Sequence, residues 1–119
     1  MTLTVYGIPT CNTCKKAQQW LDDRGEEYIF VNTRATPPDA GLIARWVETI
    51  GSKPMRNTSG KAYRSLGEER SQWDDARWVA EFAREPMLLK RPLFARGDRA
   101  LKVGFRGDDA TIARELELD

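Results

Sequence analysis

The apolar positions of this chain switch between a period of two and a period of 3.6, and the switches lay out its elements. Residues 2–6 (TLTVY) alternate and are rich in β-formers, which predicts a strand. Gly7-Ile8-Pro9-Thr10 breaks that pattern. From Asn12 to Arg24 the apolar residues Cys14, Ala17, Trp20 and Leu21 share one helical face, with Gly25 as terminator. Residues 27–31 (EYIFV) predict a second strand, paired parallel to the first through a right-handed crossover. Thr36-Pro37-Pro38-Asp39 reads as a helix start, with Thr36 as N-cap, Pro37 in first position and Asp39 closing a capping box. Leu42, Ile43, Trp46, Val47 and Ile50 follow at helical spacing until Gly51.

Residues 55–60 read as a loop, and 61–66 as a short helix capped by Ser59. Ser71 with Asp74 starts another helix, whose apolar positions Ala76, Val79, Ala80, Phe82 and Ala83 run up to Pro86. The strand pattern resumes at 92–95, turns through Arg96-Gly97-Asp98 and returns at 100–105, a hairpin signal. Asp108 or Asp109 caps a last helix carrying Ile112 and Leu116. Trp20 and Trp46 are expected in the core, while Tyr63, Trp73 and Trp78 are expected to hold the middle helices together. The order is βαβ, a helical insert over about 37–86, then ββα. That order predicts an α/β protein of one domain, a thioredoxin-like fold with a four-stranded mixed sheet and the insert between its halves.

The only two cysteines fall where the first strand gives way to the first helix, as Cys11-Asn12-Thr13-Cys14. A thiol at a helix start faces unpaired N–H groups and the positive end of the helix dipole, and both favour thiolate. Cys11 is thus the expected nucleophile. Cys14, one turn on, is placed to resolve the adduct by closing a disulfide, and Lys15 and Lys16 add cations nearby. The alternatives are weaker. A zinc site would need about four ligands, and the chain has two cysteines and no histidine. A structural disulfide across so short a loop would stabilise little. Two inert buried thiols are the remaining alternative.

Composition narrows the class. Of 119 residues, 40% are apolar and 31% charged, which is ordinary for a globular protein. A net charge of +1 gives no sign of direct nucleic-acid binding. No apolar run is long enough to span a membrane, and no signal-peptide pattern precedes the first strand. Two cysteines without an export signal fit the reducing cytoplasm, where such a pair is expected to be catalytic. Without histidine there is no imidazole base, so cations and the helix terminus must activate Cys11, and arginine is the natural oxyanion holder. Arg91-Pro92 opens the third strand, where proline implies an edge position or a cis bond. In a thioredoxin-like fold that strand begins beside the cysteine loop, which aims Arg91 at Cys11. Arg56, Arg99 and Arg106 are weaker candidates.

Tyr6-Gly7-Ile8, CNTC-Lys15-Lys16-Ala17, Trp20-Leu21, Leu89-Lys90-Arg91-Pro92 and Val103-Gly104-Phe105 together resemble the arsenate reductase family, over about residues 3–117. That family includes glutaredoxin-dependent arsenate reductases and Spx-type regulators. The resemblance implies that Cys11 attacks arsenate, that Arg91 holds the oxyanion and that Pro92 is cis. It implies a second arginine near Arg56 and a third among Arg99, Lys102 and Arg106, with Asn12 and Thr13 at the helix mouth completing the oxyanion site. No bound cofactor or metal is implied, and thioredoxin, glutaredoxin or glutathione would supply electrons. Spx-type regulators carry the same two-cysteine motif as a switch and bind the C-terminal domain of the RNA polymerase α subunit. A redox-switched regulator is therefore the alternative to an enzyme acting on a small oxyanion or disulfide.

Overall fold

The computed structural model describes residues 1–118. Its strands are β1 (Leu3–Gly7), β2 (Tyr28–Asn32), β3 (Leu93–Arg96) and β4 (Arg99–Val103). Its helices are α1 (Asn12–Asp23), α2 (Ala40–Ile50), α3 (Lys61–Arg64), α4 (Asp75–Arg84) and α5 (Asp109–Glu115). The sheet order is β2-β1-β3-β4. β1 and β2 are parallel, whereas β3 runs antiparallel to both β1 and β4.

Period-two alternation divides the core into two layers. Leu3, Val5 and Phe94 point to one face, where Ala17 and Leu21 of α1 and Ile112 and Leu116 cover them. Leu93, Ala95 and Ala100 point to the other face, under Ile43, Trp46 and Val47 of α2 and Trp78 and Phe82 of α4. Trp78 also meets Tyr63, Trp73 and Phe82 ring to ring.

Several boundaries differ from those expected. α2 starts at Ala40 with Asp39 as its cap, the carboxylate accepting the Leu42 N–H at 2.8 Å. Thr36 and Pro37 each precede a proline ring, which disfavours the α conformation and delays the helix until both are passed. α3 is capped by Gly60 without a side-chain bond, and the Ser59 hydroxyl turns to Asn57 instead. Asp74 alone caps α4, because Ser71 is used one turn earlier, donating to the Glu68 carbonyl. β4 ends at Val103, since Gly104 adopts a φ of +81° that leaves the strand. β3 is an interior strand, and of the two options for Arg91-Pro92 the bond is cis. Trp20 is only half-buried; its indole N–H donates to Asp109 at 3.1 Å, tying α1 to α5.

Candidate functional site

β1 delivers the chain to the cysteine loop at the end of its run through the sheet interior. Thr33, buried just past β2, donates both its N–H and its hydroxyl to the Gly7 carbonyl, at 2.8 and 3.3 Å. The Cys11 N–H then closes a turn on Ile8 at 3.2 Å. Cys11 occupies the N-cap of α1 with φ −80° and ψ 120°, and its Sγ accepts the Cys14 N–H at 3.4 Å. A sulfur thus takes the place of the usual capping oxygen and meets N–H groups that the helix cannot pair itself.

The two sulfurs diverge electrostatically. Partial burial pushes the Cys11 thiol up, but the Cys14 thiol, the N–H groups of Cys14 and Thr13 and the Arg91 charge outweigh it, and the group titrates below its ordinary range. Cys14 is fully buried, and burial, followed by its bond to Cys11, pushes its thiol up to about 12. Both cysteines are free thiols. A glycine is what lets Cys14 fit: a Cβ on Gly7 would lie 2.5 Å from the Cys14 Sγ.

Arg91 arrives from the other side on a braced strap. The Asn57 N–H donates to Leu88 and the Lys90 N–H to Met55, both at 2.8 Å, around an isolated antiparallel bridge between Arg56 and Leu89. Arg91 is half-buried; its Nη1 donates to the Leu89 carbonyl at 3.3 Å while its Nε is buried without a partner. Its charge acts on both cysteines. Pro92 follows directly, its carbonyl accepting the Gly104 N–H at 2.8 Å.

The fold therefore brings Cys11, Thr13, Cys14, Arg91 and Pro92 together, with Asn12 exposed as the first residue of α1. It sends the other arginines elsewhere. Arg56 donates to the Ser52 hydroxyl at 2.8 Å and lies 4.3 Å over the Trp78 ring, and the Ser52 hydroxyl in turn donates to the Asp75 carboxylate at 2.5 Å. Arg106 is exposed, and its carbonyl accepts from Lys102 at 3.0 Å. Arg99 is paired with Glu117 at 2.7 Å. Gly7 and Thr33 escaped sequence reasoning as site residues; only a glycine ending a strand just before a buried cysteine could have signalled the first. Among the described residues, no cluster of His, Cys, Asp or Glu is arranged to hold a metal ion, and no helix is long and apolar enough to cross a membrane.

The ArsC family model matches residues 6–112. The chain belongs to the ArsC family. Its fold is that family's thioredoxin-like one: the crystal structure of a possible arsenate reductase from Streptococcus mutans UA159 superposes with a TM-score of 0.84 at 34% identity, covering 93% of this chain and 97% of that one. The uncharacterized protein YusI of Bacillus subtilis (strain 168) is 35% identical over 112 residues, which span 91% of this chain and 94% of YusI. The global transcriptional regulator Spx of the same organism is 27% identical over 113 residues, spanning 90% of this chain and 82% of Spx. Membership of the ArsC family thus places the chain among thiol oxidoreductases and their regulatory kin.

Proposed function

We propose that this ArsC-family protein is a thiol oxidoreductase that reduces a disulfide or a small oxyanion such as arsenate through Cys11 and Cys14. The observation that carries this reading is the opposed bias of two thiols one turn apart, one favoured as thiolate beside Arg91 and one held protonated within reach of it. With arsenate, the Cys11 thiolate would bond to arsenic with loss of water, while Arg91 and the N–H groups of the first turn hold the oxyanion. Cys14, giving up its proton, would then attack Cys11 Sγ. The sulfur–arsenic bond breaks, its electron pair leaves with arsenic as arsenite, and a Cys11–Cys14 disulfide remains. A thiol reductant of the thioredoxin, glutaredoxin or glutathione class would restore the dithiol, as in a reducing cytoplasm. No metal or organic cofactor enters these steps.

Steady-state reduction of arsenate and of model disulfides, with each of the three electron donors, tests the proposal. Turnover that requires both cysteines supports it; no turnover with any donor, together with an ordinary Cys11 titration, overturns it. The likeness to Spx supports a second reading, in which the disulfide re-aims a surface that binds the RNA polymerase α subunit. Capture of that subunit's C-terminal domain by only one redox form would favour the regulator.

A further inference from the structure

A groove of about 580 Å³ opens between α3 and the turn that follows α4, and Arg91, whose charge acts on both cysteines, is part of its lining. Its volume falls in the range of roughly 300–1,000 Å³ that holds small organic ligands, and a lone tetrahedral oxyanion would leave most of it empty. Ala62, Leu66, Met87 and Leu88 give it apolar walls, and Lys61 and Arg91 give it cations. Lys61 is exposed and makes no ion pair among the described residues. The other charges lining the groove are already engaged: Arg84 is held by Glu81 at 2.6 Å, and the Glu85 carboxylate accepts the Met87 N–H at 3.1 Å. Arg34, from the loop after β2, reaches to 3.8 Å from the Met87 sulfur and adds another cation at the edge. The buried Arg91 Nε has no partner, so the cation shared by groove and cysteines still has donor capacity to offer.

We propose that this groove is a second binding site, which takes the carboxylate-bearing apolar body of an organic disulfide while Cys11 attacks its sulfur. The proposal rests on the thiol–disulfide reading above and names its substrate class. In the step itself the Cys11 thiolate bonds to one sulfur, the substrate S–S bond breaks, and the departing thiolate takes a proton from water. The carboxylate is held by Lys61 and Arg91, and the apolar body lies along Leu66 and Met87. Neutral disulfides of equal size gain only the apolar part.

Stopped-flow reaction of the reduced protein with dithiobis(nitrobenzoate), a dianionic aromatic disulfide, and with neutral dithiodipyridine tests this. Lys61→Glu and Ser65→Glu, both on the groove lining, should slow the dianion about threefold to tenfold and leave the neutral reagent unchanged within about twofold. Lys53→Glu, the same charge change outside the groove, should alter neither. Equal slowing of both reagents, no slowing of either, or the same discrimination from Lys53→Glu would overturn the groove. Thermal melts of each variant confirm that the fold persists. Wild-type reaction with both reagents no faster than a free thiol at the same pH would instead sink the activated-nucleophile reading, while the ratio across variants still decides the groove.

Discussion

Cys11 and Cys14 are the same residue type, about 4.5 Å apart along one helix axis, yet they occupy opposite environments. Cys11 caps the helix, half-exposed, with N–H groups at its sulfur and the Arg91 charge acting on it. Cys14 is fully buried with its sulfur close to Gly7, and burial dominates its titration. The difference shows that nucleophile and resolver are distinguished by place alone. Peptide dipoles at the helix mouth and one guanidinium do what an imidazole would do elsewhere.

Removing either sulfur breaks the comparison most severely. Cys11→Ser should abolish turnover, a loss of at least about 10³-fold. Cys14→Ser should still complete the first attack and then stall, with the adduct on Cys11 visible by mass spectrometry. Stability at alkaline pH comes next. Cys14 holds its proton more tightly folded than at its ordinary 9.0, so its contribution is whole below that value and is lost as pH rises toward about 12. Denaturant titrations should show a decline of up to about 1.4 kcal/mol per pH unit in that window, which Cys14→Ala flattens. Cys11 has the opposite sign: its contribution is whole above 9.0 and is lost as pH falls through its lowered folded value.

Gly7→Ala tests the tight fit around the resolver. The added methyl meets the fully buried Cys14 sulfur at 2.5 Å, where the side chain has no room to turn away, and should cost about 1–3 kcal/mol in urea unfolding. Arg91→Met sharpens the contrast on the other side. It should lower the alkylation rate of Cys11 at neutral pH about threefold to tenfold while leaving Cys14 inert.

Much of this arrangement was legible in the sequence because it is written in local periods. The strand–helix switch before Asn12, the helical insert and the hairpin at Arg96-Gly97-Asp98 all follow from patterns within a dozen residues. The misplaced start of α2 had a local cause too, since two successive prolines outweigh a capping threonine. What the sequence hid is long-range. Nothing near Arg56 announces that its guanidinium will lie on Trp78, and nothing near Gly7 announces that the sulfur of Cys14 will press against it. The groove joins residues 57–66 to 84–91, two segments held together by long-range pairing, the Asn57 N–H to Leu88 bond and the neighbouring Arg56–Leu89 bridge. Trp20 packs against the core as its spacing implies but stays half-buried, because its indole N–H reaches Asp109 on a helix 89 residues away.

The most direct measurement is the pH profile of iodoacetamide alkylation in the reduced protein, read separately at each cysteine by peptide mass spectrometry. Cys11 should label with a midpoint below that of an unperturbed thiol, while Cys14 stays unmodified through the neutral range. Equal labelling of both sulfurs at the ordinary thiol midpoint would contradict the account.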